Sequence, residues 1–150
     1  MKLLKMAAAA VLIFGAVQFL GSSQARAQTV LTGAQIQTLL VGNYACGSSG
    51  DDTWDEILSG TTTGTVTDYK QGPTDATDPT QAVGSYTIST GGSPDTITYN
   101  YGAGGTFAYS VVDPTGTNLP NPGTYTFVGQ GAAPTLTITV ASSPCQPHRT

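Results

Sequence analysis

The sequence is poor in side chains that carry catalytic or metal chemistry. Its 150 residues include one histidine, two cysteines and one tryptophan. The histidine, His148, follows Cys145 near the end of the chain, where we expect a frayed terminus. A Ser–His or Cys–His pair in the body of a domain is therefore excluded. Two cysteines and one tail histidine also cannot form a closed zinc shell, so we expect no cofactor.

Basic residues are also scarce, and three of the five lie within the first 26 positions. From residue 28 onward, Lys70 and Arg149 stand against nine acidic residues, which gives a formal charge of −7. A chain of this charge repels phosphate backbones and anionic lipid. We therefore expect neither nucleic acid nor an acidic membrane surface as a partner.

The only long apolar run lies at the N-terminus. Residues 6–20 are uncharged and follow two lysines, and the Ala-Arg-Ala sequence before Gln28 fits the rule for signal cleavage. The run is shorter than the roughly 20 residues that span a bilayer as a helix. We predict that residues 1–27 are a cleaved signal peptide. Residues 28–150 would form one periplasmic or secreted domain with no membrane attachment after cleavage.

Export would place Cys46 and Cys145 in an oxidising compartment, where a bridge between them is the economical interpretation. Such a bridge encloses about 100 residues, and the chain-entropy model gives that loop at most about 4–5 kcal/mol of stabilisation. The alternative is two unpaired thiols.

The hydrophobic pattern predicts one helix and about eight strands. Residues 32–40 have apolar side chains at helical spacing, with Thr32 as the N-terminal cap and Gly42 as the stop. From Tyr86 onward, five segments alternate apolar residues with threonine, serine or other small polar residues, which is typical of strands with one buried face. Three less regular strands are predicted before them, at residues 41–46, 54–59 and 61–69.

This order predicts an all-β domain, an antiparallel up-and-down barrel with the helix across one mouth. Short sequential turns favour a barrel, and closure would bring the first and last strands, and so Cys46 and Cys145, side by side. A β-sandwich is the alternative. We expect the domain to be monomeric.

Tyrosine is unusually frequent on the apolar face of these strands. A buried phenol needs a hydrogen-bond partner, so a dry core would more naturally use Phe, Leu or Ile. One interpretation is a pocket for a small apolar or aromatic ligand, covered by the irregular residues 70–82. The other interpretation is a packed barrel whose tyrosine hydroxyls reach solvent at the two ends. The predicted pocket residues are Tyr44, Trp54, Tyr99, Tyr101 and Tyr109.

Two other kinds of site could be drawn from the acidic residues. Asp51, Asp52 and Asp55 could offer oxygen ligands to calcium, but they lack EF-hand spacing, so we expect a solvated turn and no metal. A carboxylate pair taken from Asp55, Glu56 and Asp68 could support glycoside hydrolysis. This hydrolase is the one enzymatic alternative to a non-enzymatic protein.

Two triplets carry a family resemblance. Gly42-Asn43-Tyr44 resembles the Gly-x-Trp motif that opens lipocalins and related calycin barrels, and Thr67-Asp68-Tyr69 resembles their second motif. The resemblance implies a cup-shaped barrel that holds a small hydrophobic or amphipathic ligand. The chain is also similar to small exported bacterial proteins.

The leading hypothesis is therefore a non-enzymatic exported binding protein. One alternative is a protein-interaction or inhibitor module that acts through its outer surface or through a protruding segment at residues 28–32. A second alternative is a structural envelope protein whose threonine-rich faces pair with neighbours.

Overall fold

The computed structural model describes residues 27–49, 52–70, 81–117 and 120–145. Most of the predicted signal peptide, most of the predicted cover at residues 70–82, and Asp51 and His148 lie outside the described residues. A 3₁₀ turn lies at Gly102–Gly104. The elements are β1 (Thr29–Val30), α1 (Gly33–Leu40), β2 (Tyr44–Ser49), β3 (Asp52–Gly60), β4 (Thr63–Lys70), β5 (Gln81–Ile88), β6 (Ile97–Asn100), β7 (Thr106–Asp113), β8 (Gly123–Gly129) and β9 (Leu136–Ala141).

Eight strands form a closed antiparallel barrel. Each strand from β2 to β9 pairs with the next, and β9 pairs back with β2 through the Ala45–Val140 register. The predicted up-and-down barrel is confirmed, and the β-sandwich alternative is wrong. Closure satisfies the backbone donors and acceptors that an open sheet would leave at its two edges.

The closing seam carries the predicted disulfide. Cys46 on β2 is bonded to Cys145, just past β9, with the two Cα atoms 6.3 Å apart. Cys46 also pairs with Thr139 across the seam. The bridge therefore joins the first and last barrel strands, as the sequence predicts.

Helix α1 covers one end of the barrel. The Thr32 hydroxyl accepts a hydrogen bond from the Gln35 amide, and the Gln35 side chain accepts one from the Thr32 amide, which is a capping box. Ile36, Leu39 and Leu40 are buried, and the exposed fraction of Ile36 is 0%. Burying one such side chain contributes about 1.5–3 kcal/mol, so the helix closes this end chiefly by hydrophobic packing.

The N-terminal segment does not protrude as predicted. Strand β1 pairs with the end of β7, and the Leu31 amide donates a 2.8 Å hydrogen bond to the Val111 carbonyl. Leu31 itself is 1% exposed. Its apolar side chain joins the core beside the helix, so residues 28–32 are docked against the barrel along this contact.

The predicted strand at residues 41–46 begins three residues later, at Tyr44. Gly42 has a φ of +80°, a left-handed conformation that interrupts an extended chain. Val41 keeps only an isolated parallel bridge to Leu58.

The barrel has two different ends. The helix end contains α1, the β3–β4 turn and the β5–β6 turn, and its interior is packed with aliphatic side chains together with Tyr86 and Tyr125. The far end contains the β2–β3, β6–β7 and β8–β9 connections, together with the end of β4 and the start of β5. Within the described ranges, no helix has the length and apolarity needed to cross a bilayer.

Candidate functional site

A cavity of about 260 Å³ lies inside the far end of the barrel. Its walls are mainly aromatic, with aliphatic side chains from β2 and β9 completing them. A mostly apolar concave site with a few polar groups is typical of small-molecule binding sites. The aromatic lining consists of Trp54, Tyr99, Tyr101, Phe107, Tyr109 and Phe127.

The pleat of the strands decides which predicted residues reach this cavity. Side chains two positions apart share a face, so Tyr99 and Tyr101 lie together, as do Phe107 and Tyr109 on the next strand. Four of the five predicted pocket residues line the cavity, the exception being Tyr44. Whether they bind a ligand stays a prediction.

The prediction that Tyr44 lines the pocket is wrong. Its neighbour Ala45 faces the cavity, opposite Glu56 on β3, so Tyr44 lies on the outer face. The Tyr44 ring there lies 6.4 Å from the ring of Tyr69, between centroids. Asp68 faces inward. Tyr69, the next residue on β4, therefore faces outward, like Tyr44.

Two glycines give the aromatic side chains room inside a narrow barrel. Gly47 is the register partner of Trp54, and a Cβ at Gly47 would lie 2.5 Å from an indole carbon. A Cβ at Gly84 on β5 would lie 3.1 Å from the ring of Tyr101. The absence of a side chain at both positions lets each ring approach the neighbouring backbone closely.

The aromatic rings form a continuous chain of contacts around the cavity. Tyr99 is parallel to Tyr101 at 6.0 Å and meets the edge of Tyr109 at 6.2 Å. Tyr109 in turn meets Phe127 at 5.9 Å. Such offset and edge-to-face pairs contribute about 0.5–1.5 kcal/mol each beyond their buried area, so the wall is held in a defined shape.

A carboxylate lies within this aromatic wall. The Tyr101 hydroxyl donates a 2.6 Å hydrogen bond to Glu56 on β3. A second cavity of about 410 Å³ adjoins the first, sharing Trp54, Glu56 and Tyr101 with it and reaching Asp68 and Val83. Glu56 and Asp68 are register partners on neighbouring strands, so two carboxylates face the far end of the barrel side by side.

Burial and the nearby carboxylate keep the phenols protonated. Burial first, and then the charge of Glu56, raise the pKa of Tyr99 well above its usual range and raise that of Tyr101 strongly. The same two causes raise the pKa of Tyr109. All three hydroxyls are therefore neutral at physiological pH and can both donate and accept hydrogen bonds.

The tyrosine hydroxyls divide into two groups. Tyr86 and Tyr125 donate to the carbonyls of Thr61 and Asn121, at 2.9 and 2.7 Å. These two fit the interpretation in which hydroxyls reach the rims. Tyr99 and Tyr109 are 4% and 6% exposed, yet within the described part of the chain their hydroxyls make no hydrogen bond.

The prediction of a solvated acidic turn is wrong for Asp55. It lies on the outer face of β3, is 1% exposed and accepts a 3.1 Å hydrogen bond from the Cys145 amide. It stands close to Cys46 and Cys145, but the two sulfurs are bonded to each other and offer no thiolate to a metal. Asp55 therefore anchors the segment that carries the disulfide.

Sequence reasoning missed several cavity residues. Phe107 and Phe127 lie on the apolar face of their strands, so the alternation that indicates Tyr109 also indicates them. Glu56 lies two positions after Trp54, so the same alternation places it on the face of this predicted pocket residue. A charged residue there is nevertheless easily assigned to the outside, because charged side chains are mostly exposed. Its pairing with Ala45 confirms the inward direction.

No protein-family model matches the chain, and neither the curated proteins nor the solved structures contain a significant match. The resemblance of the two triplets to lipocalins stays a prediction.

Proposed function

We propose that this protein is a non-enzymatic binding protein that holds a small apolar or aromatic molecule in the far end of its barrel. The observation that carries the proposal is that Tyr99 and Tyr109, which are 4% and 6% exposed, line the cavity with hydroxyls that make no hydrogen bond to the described part of the chain. A phenol hydroxyl both donates and accepts hydrogen bonds. A ligand with one polar atom could therefore pair with one of them.

The size of the cavity limits the ligand. An apolar cavity of about 150 Å³ is enough for benzene, and this one measures about 260 Å³. A single aromatic ring with a short polar substituent would therefore fit the inner cavity. The adjoining cavity beyond Glu56 could take the end of a longer substituent.

The test is a titration with single-ring aromatic compounds, followed by the fluorescence of Trp54, the only tryptophan and part of the lining. A45L fills the cavity from β2, and T137L makes a similar change on the exposed face of β9. We expect A45L to weaken binding at least about tenfold, since it occupies the volume that the ligand needs, and T137L to leave it unchanged. Equal affinity of both variants for the ligand would show that the ligand does not bind in this cavity.

We also propose that the protein is exported to the periplasm or secreted. The Cys46–Cys145 disulfide supports this, because such bonds persist in oxidising compartments. N-terminal sequencing of the protein recovered from the source cells would test it. Gln28 as the first residue is the expected result, and a retained Met1 in the cytosolic fraction would contradict it.

A further inference from the structure

Carboxylates outnumber basic residues on the polar side of the cavity. Glu56 and Asp68 face the far end together. Lys70 is the only lysine or arginine between residues 27 and 148, and it is placed by register opposite Trp54 at the outer end of β4. The site thus combines two carboxylates with one basic residue at its margin, which disfavours anionic ligands and favours cationic ones.

The rings around Glu56 add a second preference for positive charge. The face of an aromatic ring attracts a cation that lies within about 6 Å of the ring centroid. Trp54 and Tyr101 line both cavities beside Glu56. A cation placed at Glu56 would therefore meet a carboxylate and at least two aromatic side chains.

The two buried phenols supply an independent indication of a polar ligand atom. Tyr99 and Tyr109 are neutral, line the inner cavity, and have hydroxyls that make no hydrogen bond within the described part of the chain. A phenol oxygen accepts hydrogen bonds from N–H donors. A primary ammonium has three such donors, so it could bind a carboxylate and a phenol at the same time.

We infer that the ligand is an organic ammonium compound, with its charged nitrogen at Glu56 and Asp68 and its aromatic or apolar body against Tyr99, Tyr109 and Phe127. This inference rests on the proposed function, which it narrows to one class of ligand. The inner cavity takes the ring, and the boundary between the two cavities, where Glu56 lies, takes the nitrogen. Because the two cavities share Trp54, Glu56 and Tyr101, an arylalkylamine could place its ring in the inner cavity and its nitrogen at the boundary.

The test uses three probes of the same shape and different charge: phenethylamine, phenethyl alcohol and hydrocinnamate. Their affinities are measured by calorimetry for the natural sequence and for E56Q, D68N and D95N. E56Q keeps an oxygen acceptor for the Tyr101 hydroxyl and removes the negative charge. D95N removes a charge of the same sign at the helix end of the barrel, away from the cavity, and is the matched control.

We expect the natural sequence to prefer phenethylamine over phenethyl alcohol by about tenfold or more, with hydrocinnamate weakest. E56Q should remove most of that preference, D68N part of it and D95N none, while the affinity for phenethyl alcohol stays the same. If phenethyl alcohol binds as well as the amine, or if E56Q and D68N leave the preference intact, the inference is wrong while the proposed function survives. If none of the three probes binds, both are overturned.

Discussion

The Gly33 amide donates a 2.7 Å hydrogen bond to the carboxylate of Asp95. This contact joins the first residue of α1 to the β5–β6 turn, 62 positions further along the chain. The Gly92 amide donates to the other carboxylate oxygen at 2.6 Å. Asp95 therefore holds the helix over the end of the barrel, in addition to the apolar packing of Ile36 and Leu39.

These amide donors lower the pKa of Asp95 below its ordinary value of 3.8. Because the folded pKa is the lower one, the contribution to stability is present above about pH 3.9 and is lost as the pH falls through the folded pKa. We expect D95N to lower the thermal midpoint at pH 7. The difference from the natural sequence should shrink below pH 4, as measured by circular dichroism melts; a difference independent of pH would contradict this role.

Loss of the Cys46–Cys145 bridge should destabilise the barrel at its seam. The bonded residues are 99 positions apart, and a loop of that length gives at most about 4–5 kcal/mol in the chain-entropy model. A double Cys→Ala variant should therefore unfold at a clearly lower urea concentration than the oxidised protein. The natural sequence under reducing conditions is the control and should match the variant. Identical midpoints for the oxidised and reduced protein would show that the bridge adds nothing.

The pairing of Gly47 with Trp54 can be tested by adding one methyl group. In G47A the new Cβ would meet the indole at about 2.5 Å, so the ring must move. Overpacking of this kind costs about 1–3 kcal/mol, and the displaced indole should change its emission maximum. S48A, at the exposed neighbouring position of the same strand, is the control. It should change neither the free energy of unfolding nor the emission maximum. Unchanged emission from G47A would mean that the indole lies elsewhere.

The architecture could be predicted from the sequence because local patterns determine most of it. Alternation of apolar residues and threonine indicates β7 to β9 clearly, and Thr32 and Gly42 mark the ends of the helical segment. The covalent closure could be predicted from composition, since two cysteines in a chain that is predicted to be exported have one intramolecular pairing.

The site could be predicted only in part, because its position depends on strand register. Around Tyr44, the small residues of β2 give no alternation that would fix which side faces inward. The stretch from Trp54 to Leu58 carries apolar and acidic residues on both faces, so composition alone does not orient it. The prediction that Trp54 faces the pocket implies the same for Glu56 two positions later, and the pairing of Glu56 with Ala45 settles the direction. These orientations depend on the register between strands, which cannot be predicted reliably from one sequence when the hydrophobic pattern is weak.

The most direct test of the tyrosine-lined binding site is a set of intermolecular NOEs measured by NMR on the protein saturated with phenethylamine. We expect NOEs from the ligand ring to the side chains of Tyr99, Tyr109 and Phe127 inside the far end of the barrel. NOEs confined to outward-facing residues such as Tyr44 and Tyr69, or none at all at saturating probe, would contradict this expectation.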